Sequence, residues 1–327
     1  MNQPIKLRVP PVLEPWLVPG LPTVRLGQHS PGWIALHRGV RVPFEWWANA
    51  KPWERFVAVA AARALVVPGT VFCCDTALFL HGYPLGRTPQ ALHVAHATRS
   101  KVGRHGTVVR FQGSAVAGAP GTIGHHHPGL EPEHEGDLSL MPVDDALWNC
   151  LTRGKLEESL PPTDAHLRFR GGDEARSLLL TRAATEPMKV RREQVVGVLA
   201  LADGRSESAG ESLSRVAMLR LGVETPELQL AIVVNGREVR PDFAWPRCLV
   251  AGECDGRQKY LDPSLRGTAR SEWDVLRAEK ERDAVLLKHF RTVVHWNAED
   301  RHPITKLRNK LLRAGVRIDL RQRTRLR

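Results

Sequence analysis

The segment RPDFAWPRCLVAGECDG, residues 240–256, predicts the second half of one β-strand and the whole of the next. The strand LQLAIVV at residues 228–234 precedes it, and Asn235-Gly236, the dipeptide most typical of a tight hairpin turn, joins the two. Three consecutive strands are therefore predicted. They place Asp242 near the middle of the second strand and Glu253 on the third.

Helices and a fourth strand are predicted on both sides of these strands. GESLSRVAMLRLG at residues 210–222 has apolar residues on one side of a helix and ends in glycine. A long charged helix at residues 268–290 precedes the strand RTVVHW at residues 291–296, and a basic helix follows at residues 304–318. The order αβββαβα predicts a small mixed sheet flanked by helices.

Acidic side chains fall on two neighbouring predicted strands. Because neighbouring strands are about 5 Å apart, we expect Asp242 and Glu253 to converge on one divalent cation, Mg²⁺ or Mn²⁺. Asp255 is two residues beyond Glu253 and shares its face, and Glu211 in the preceding helix is a further candidate metal ligand. Lys259, just after the Asp-Gly turn, is expected to stabilise phosphate charge or to orient the attacking water.

The short sequences GES, PELQ, RPDFAWP, GECDG and VVHW resemble the PD-(D/E)XK nuclease superfamily, and in particular its very-short-patch-repair-endonuclease-like branch. The resemblance covers residues 210–318 and implies a restriction-endonuclease-like αβββαβ domain. It implies that four acids lie where the family holds its metal: Glu211, Asp242, Glu253 and Asp255. Gln229 matches a polar position on the first strand. The family's usual lysine, two residues after the second acid, is Asp255 here, and Lys259 is the candidate to replace it.

The N-terminal half predicts a different, mixed α-β domain. Helices are predicted from Trp53 to the Pro68-Gly69 stop, over residues 75–82 with Asp75 as N-cap, and over residues 142–154. LHRGVRVP, DTALFLHGYPL, LHVAH and LSLMPVDDALWNCL resemble the AbiE-type abortive-infection antitoxin proteins, with the winged-helix part reduced or missing. The resemblance implies an antitoxin-like module.

Three segments are predicted along the chain. Weak helical stretches interrupted by Pro161-Pro162, Gly171-Gly172 and the linker ADGRSESAG separate the two halves. We therefore predict an antitoxin-like mixed α-β domain at residues 1–155 and a helical connector and linker at 156–208. A restriction-endonuclease-like domain with a basic C-terminal helix and tail follows at 209–327. The predicted fold class is α+β or α/β.

The charge of the chain is strongly basic. The 327 residues include 47 Lys and Arg against 35 Asp and Glu, for a net charge of +12, and residues 209–327 alone carry 24 basic and 16 acidic side chains. A solubilising surface and a DNA-binding surface both explain this excess. The residues predicted to contact nucleic acid are Lys306, Arg308, Lys310, Arg313, Arg317, Arg321 and Gln229.

The cysteines and histidines give weaker signals. Five cysteines, an odd number, do not predict a disulfide framework. We interpret Cys73-Cys74 as a buried pair of small apolar residues. The segment HHHPGLEPEHE at residues 125–135 is broken by Pro and Gly, which favours a polar loop over a metal site. Cys254 is expected in the core, on the face of its strand opposite Glu253.

Two functions remain open at this point. One is a Mg²⁺-dependent endonuclease that cleaves DNA in phage defence or repair, and the other is a non-catalytic DNA-binding regulator with a cognate toxin as partner. The longest apolar stretch, residues 56–67, is interrupted by Arg63 and too short to cross a bilayer, and the N-terminus does not resemble a signal peptide. A cytoplasmic protein without a membrane partner is therefore predicted.

Overall fold

The computed structural model describes residues 32–255 and 272–319, and the chain divides into two compact units, residues 1–154 and 155–327. The described residues form ten α-helices and four β-sheets, which confirms an α+β fold. Residues 156–208, which we predicted as a separate connector, fall within the C-terminal unit. No helix in the described ranges is both long and apolar enough to cross a membrane.

Two sheets form the framework of the N-terminal unit. Its strands are β1 (Trp33–His37), β2 (Val40–Pro43), β3 (Val71–Phe72), β4 (Ala91–His96), β5 (Gly103–His105), β6 (Arg110–Phe111), β7 (Ser114–Ala115), β8 (Gly121–His126), β9 (Glu133–Glu135) and β10 (Leu138–Leu140). The orders are β2-β1-β6-β7 and β5-β8-β4-β3-β10-β9. Strands β4 and β8 pair in parallel, with Ala91 opposite Gly121 and His96 opposite His126.

Residues 32–154 of the N-terminal unit form four α-helices: α1 (Phe44–Asn49), α2 (Pro52–Val66), α3 (Cys74–Leu80) and α4 (Val143–Arg153). Helices α2 and α4 match their predictions. The prediction that Asp75 caps α3 is wrong, because this helix begins at Cys74 and Cys73 occupies the N-cap. Cys73 still has extended backbone, and its N–H donates to the His93 carbonyl of β4 at 3.0 Å.

The described residues of the C-terminal unit form six α-helices: α5 (Leu156–Phe169), α6 (Asp173–Ala184), α7 (Lys189–Leu201), α8 (Ala209–Leu221), α9 (Glu272–Leu286) and α10 (Ile304–Ala314). Pro161 and Pro162 do not interrupt the chain as we predicted, since both lie inside α5. Both are buried, so packing of their apolar rings compensates for the N–H groups that proline lacks. Helix α8 matches its prediction and ends at Gly222, whose φ is 67°.

A mixed four-stranded sheet organises the C-terminal unit. The unit's strands are β11 (Glu227–Leu228), β12 (Ile232–Val234), β13 (Arg237–Val239), β14 (Phe243–Trp245), β15 (Val250–Cys254) and β16 (Thr292–Trp296). The sheet has the order β11-β14-β15-β16, and β15 and β16 are parallel. The predicted Asn235-Gly236 turn is confirmed, but it joins β12 and β13 in a separate two-stranded hairpin.

Both faces of this sheet are covered. One face packs Phe243, Trp245 and Trp296 against residues of α8 and α10, and the other packs Ala244 and Ala251 against Leu286 of α9 and Phe290. A side chain at Gly252 would meet the Trp296 ring at 2.6 Å, so this glycine makes room for the tryptophan.

Candidate functional site

Glu211 lies in the first turn of α8, where the local sequence fixes its carboxylate. The Ser208 hydroxyl accepts a hydrogen bond from the Glu211 N–H at 3.2 Å and donates one to Glu211 Oε1 at 2.8 Å. The Glu207 N–H donates to Glu211 Oε2 at 2.8 Å. Glu211 is only 6% exposed. The N-cap of the helix therefore holds a buried carboxyl group in one orientation.

Asp242 and Gln229 approach this carboxyl group from the sheet. Asp242 precedes β14 instead of lying in mid-strand as we predicted, because Pro241 has no N–H and separates β13 from β14. Asp242 Oδ2 accepts a hydrogen bond from the Cys254 N–H at 2.8 Å. Gln229 Nε2 lies 3.4 Å from both Glu211 Oε2 and Asp242 Oδ1. The structure thus brings three of the predicted residues together.

The pKa of Glu211 is raised to about 7. Burial is the largest cause, since it disfavours the charged form, and the negative charge of Asp242 raises the pKa further. Hydrogen bonds from Glu207 and Ser208 lower the pKa and only partly offset these effects. Two neighbouring carboxyl groups are therefore costly to ionise together in the absence of a cation.

Glu253 lies on the face of β15 that packs against α9. Glu253 is 4% exposed, and its Oε1 accepts a hydrogen bond from Arg282 Nε at 3.1 Å and lies 3.0 Å from Arg282 Nη2 in an ion pair. Arg282 Nη2 also donates to the Arg240 carbonyl at 2.7 Å. Cys254 packs in the cluster on the opposite face, as predicted. The positive charge of Arg282 therefore lies beside Glu253, which we predicted as a metal ligand.

Asp255 contacts His295, which is isolated in the sequence and is predicted there as a surface histidine. His295 lies on β16, in register with Glu253, and its Nδ1 is 3.2 Å from Asp255 Oδ1. Its Nε2 is 3.0 Å from Asp283 Oδ1 of α9. The pKa of His295 is raised to about 9, mainly by the hydrogen bond with Asp255. The sequence signal for this contact is the in-register pairing of the strands RTVVHW and GECDG, which places His295 opposite Glu253.

The donor chemistry of Glu211 and Asp242 fits a magnesium ion. Carboxylate oxygens are hard ligands, and these two lie on either side of one amide group. Within the described residues, however, Glu211, Asp242 and Glu253 do not form a group of three ligand atoms within 4.8 Å of one another. Convergence of Asp242 and Glu253 on one ion stays a prediction.

The basic residues that we predicted to contact nucleic acid lie on and after α10, whereas Gln229 lies beside Glu211 and Asp242. Leu307, Leu311 and Ala314 of this helix are buried. Lys306, Lys310 and Arg313 are exposed on the helix, Arg317 is exposed beyond its end, and Arg308 is half-buried. Lys310 Nζ donates to Asp300 Oδ2 at 2.8 Å and to the His295 carbonyl at 3.0 Å. Lys259 and Arg321 lie outside the described residues.

Comparisons with known proteins give short matches. No family model and no solved structure matches the chain. Two proteins of Mycobacterium tuberculosis, one from strain CDC 1551 / Oshkosh and one from strain H37Rv, are each 39% identical to it over 77 residues, and both are named as uncharacterized. The match covers 23% of this chain and 28% of each relative, so the chain spans just over a quarter of the length of these relatives.

Proposed function

We propose that the C-terminal unit binds DNA and hydrolyses its phosphodiester bonds with Mg²⁺ or Mn²⁺. The observation that carries the proposal is the pair of carboxyl groups, Glu211 and Asp242, on either side of Gln229. A buried acid with a raised pKa beside a second acid is typical of a functional site, because the arrangement costs folding free energy. The net charge of +12 and the basic residues of α10 support a phosphate-containing substrate.

The residues around the two acids have distinct roles in this proposal. Glu211 and Asp242 would hold the divalent cation, which when bound activates water and neutralises phosphate charge. Gln229 orients both carboxylates through its amide. Arg282 is fixed by Glu253 and by the Arg240 carbonyl, and its guanidinium fits a phosphate oxygen.

The proposal also gives a role to the pair formed by Asp255 and His295. Asp255 keeps His295 protonated near neutral pH, which places a positive charge on the face that carries Glu253. Lys259 keeps its predicted role of stabilising phosphate charge. Exposed basic residues of α10, with Arg313 among them, would hold the DNA backbone.

A non-catalytic DNA-binding regulator is the second candidate function, with a cognate toxin as partner. It is favoured by the pairing of two acids predicted at the metal site. Glu253 is paired with Arg282, and Asp255 is paired with His295. Asp255 also stands where the PD-(D/E)XK nucleases, which this unit resembles in sequence, have their usual lysine. In this candidate the acids are structural, and the protein binds DNA without cleaving it.

Cleavage of plasmid and single-stranded DNA by the full chain with Mg²⁺ or Mn²⁺ tests the proposal. We expect metal-dependent cleavage that falls by about a thousandfold or more in Asp242→Asn, because an anionic ligand is lost while the shape is kept. The asparagine Oδ1 can still accept the Cys254 N–H, so the fold should survive. Metal-free DNA affinity should stay level or rise, since one repulsive charge is removed.

Glu193→Gln is the matched control, because Glu193 is an exposed acid of α7 in the same unit. It should cleave like the wild type. If the folded wild type binds DNA but never cleaves it, the regulator is the correct function. Equal cleavage by wild type and Asp242→Asn would show that the site lies elsewhere.

A further inference from the structure

Two cysteines and three histidines of the N-terminal unit come together near the start of α3. Cys73 and Cys74 lie where β3 passes into α3, His93 lies on β4, His125 on β8, and His127 follows β8. Our interpretation of residues 125–135 as a loop is wrong at both ends, because residues 133–135 form β9, and His125 and His126 belong to a strand paired in parallel with β4. This pairing is what brings residues distant in sequence beside the cysteines.

The distances within this cluster are short. The Sγ atoms of Cys73 and Cys74 are 3.7 Å apart. His93 Nδ1 lies 2.8 Å from His125 Nε2, and the two rings are stacked at 15°. One ligand atom of His125 and both Sγ atoms all lie within 4.8 Å of one another. No other group of three His, Cys, Asp or Glu residues in the described parts of the chain meets this limit.

These distances match a tetrahedral zinc site. With Zn–S bonds of about 2.3 Å, two sulfur ligands of a tetrahedron are about 3.8 Å apart, close to the 3.7 Å between Cys73 and Cys74. A sulfur and a nitrogen ligand are about 3.5 Å apart in the same geometry, within the limit that His125 meets. Thiolate is a soft ligand and imidazole a borderline one, and both favour zinc over magnesium.

We propose that Cys73, Cys74 and His125 bind one Zn²⁺ ion. The site lies in the N-terminal unit, so it stands independently of the proposed phosphodiester hydrolysis. The fourth position of the tetrahedron belongs to water, to His93 or to His127, and the variants below tell these apart. Cys73 is buried and Cys74 half-buried, as in a site that stabilises the fold around it.

The surroundings of the three ligands resemble the outer shell of a metal site. His93 Nε2 lies 3.3 Å from Asp75 Oδ1, and its Nδ1 faces His125. A carboxylate–histidine pair of this kind orients a ligand and raises its basicity. His127 Nε2 is buried and has no hydrogen-bond partner among the described residues. Such a nitrogen is costly unless it binds something.

The backbone at Cys74 explains how two adjacent cysteines serve one ion. Side chains of adjacent residues in an extended chain point to opposite sides. Cys74 has a φ of 53°, a left-handed conformation that is uncommon for residues other than glycine, and this turn brings the two sulfurs together.

Metal binding to the full chain tests the proposal. The protein is purified with a non-thiol reductant, stripped with a chelator, and titrated with Zn²⁺ and separately with Co²⁺. We expect one ion per chain, and a Co²⁺ complex with the strong visible bands of a tetrahedral site and a thiolate-to-cobalt charge-transfer band. Cys74→Ser and His125→Ala should each weaken Zn²⁺ binding by about 100-fold or more, and Asp75→Asn by about 10- to 100-fold. His93→Gln and His127→Gln identify the fourth ligand by which of them changes the Co²⁺ bands.

Cys150→Ser is the matched control, since Cys150 is another buried cysteine of the same unit outside the cluster. It should bind Zn²⁺ as the wild type does, and circular dichroism shows whether each variant folds. His125→Ala keeps the test decisive if Cys74→Ser does not fold. Binding that survives in His125→Ala, or that is lost in His126→Ala with the cluster intact, overturns the proposal. So does a folded, reduced wild type that takes up no metal, or a Cys73–Cys74 disulfide in the isolated protein.

Discussion

Asp164 and Glu211 are both buried carboxyl groups of the C-terminal unit with raised pKa values, yet their surroundings differ. Asp164, which is 1% exposed, accepts hydrogen bonds from Arg215 Nη1, Ser212 Oγ and the Asp203 N–H, each at 2.7 Å. Glu211 Oε2 instead lies 3.4 Å from Gln229 Nε2, and the same nitrogen is 3.4 Å from a second acid, Asp242.

The difference separates a structural acid from a candidate functional one. The partners of Asp164 come from α8 and from the turn after α7, so its network ties these elements to α5 and offsets part of the cost of burying its charge. Glu211 lies on the same helix as Arg215, but the charge that most affects it is the negative charge of Asp242. Proteins keep an arrangement that costs folding free energy, such as two neighbouring buried acids, mainly at functional sites.

Arg215→Ala should have the largest effect on stability. It leaves Asp164 buried without its cation, and breaking a buried ion pair in this way costs about 3–5 kcal/mol. Urea denaturation at neutral pH measures the loss. Arg220→Ala on the same helix is the control, because Arg220 is paired with Glu157 at the surface and its loss should cost less than about 1 kcal/mol. Equal losses in both variants would contradict the distinction between the two acids.

Glu211→Gln should change the pH dependence of stability. The folded protein keeps the Glu211 proton up to about pH 7, whereas the unfolded chain loses it near its ordinary pKa of 4.5. The stability contributed by this group is therefore complete below pH 4.5 and is lost as pH rises through about 7. Between about pH 4 and about pH 8, the free energy of unfolding of Glu211→Gln should therefore rise by on the order of 3 kcal/mol relative to that of wild type.

Urea denaturation across this pH range, without metal, measures the difference between the two proteins. Glu193→Gln, at an exposed acid of the same unit, should run parallel to wild type at all pH values. A free-energy difference between Glu211→Gln and wild type that does not change with pH would show that Glu211 is not protonated in the folded state.

Local signals in the sequence predict much of this fold. Helices α2, α4, α8 and α10 have caps, stops and apolar spacing within their own residues, and the Asn235-Gly236 turn is likewise local. What the sequence did not reveal depends on pairing between strands distant along the chain. The register of β15 with β16 brings His295 beside Asp255, and that of β4 with β8 brings His125 to Cys74. Register is fixed by packing of the whole sheet, which no single segment encodes.

His295→Gln should lower stability by a smaller amount than Arg215→Ala, with the same sense of pH dependence as Glu211→Gln but at higher pH. His295 resembles Asp164, because opposite charges, those of Asp255 and Asp283, compensate its own. Its pKa is raised to about 9, so its contribution is complete below the ordinary value of 6.5 and is lost as pH rises through about 9. Asp255 is partly exposed, which limits the loss to about 1–2 kcal/mol at pH 6.

The same denaturation experiment at about pH 6 and about pH 10 checks this expectation, and the loss should disappear at the higher pH. His289→Gln is the control, because His289 is an exposed histidine near the end of α9. A loss of equal size at both pH values would mean that the ring stabilises the sheet by packing alone.

Gln229→Ala should have the smallest effect on stability, and it tests the contact between the two acids directly. Both hydrogen bonds of the amide are 3.4 Å long, so removing them should cost less than about 1 kcal/mol. The loss should increase above about pH 7, where Glu211 is ionised and the N–H is donated to a charged acceptor. The pKa of Glu211, measured by NMR of its carboxyl carbon, should rise further in this variant because a donor to the charged form is gone. Gln90→Ala, at an exposed glutamine of the other unit, should leave it unchanged. A lowered pKa in Gln229→Ala would instead show that the amide oxygen faces the acids, since the oxygen repels a carboxylate that the N–H stabilises.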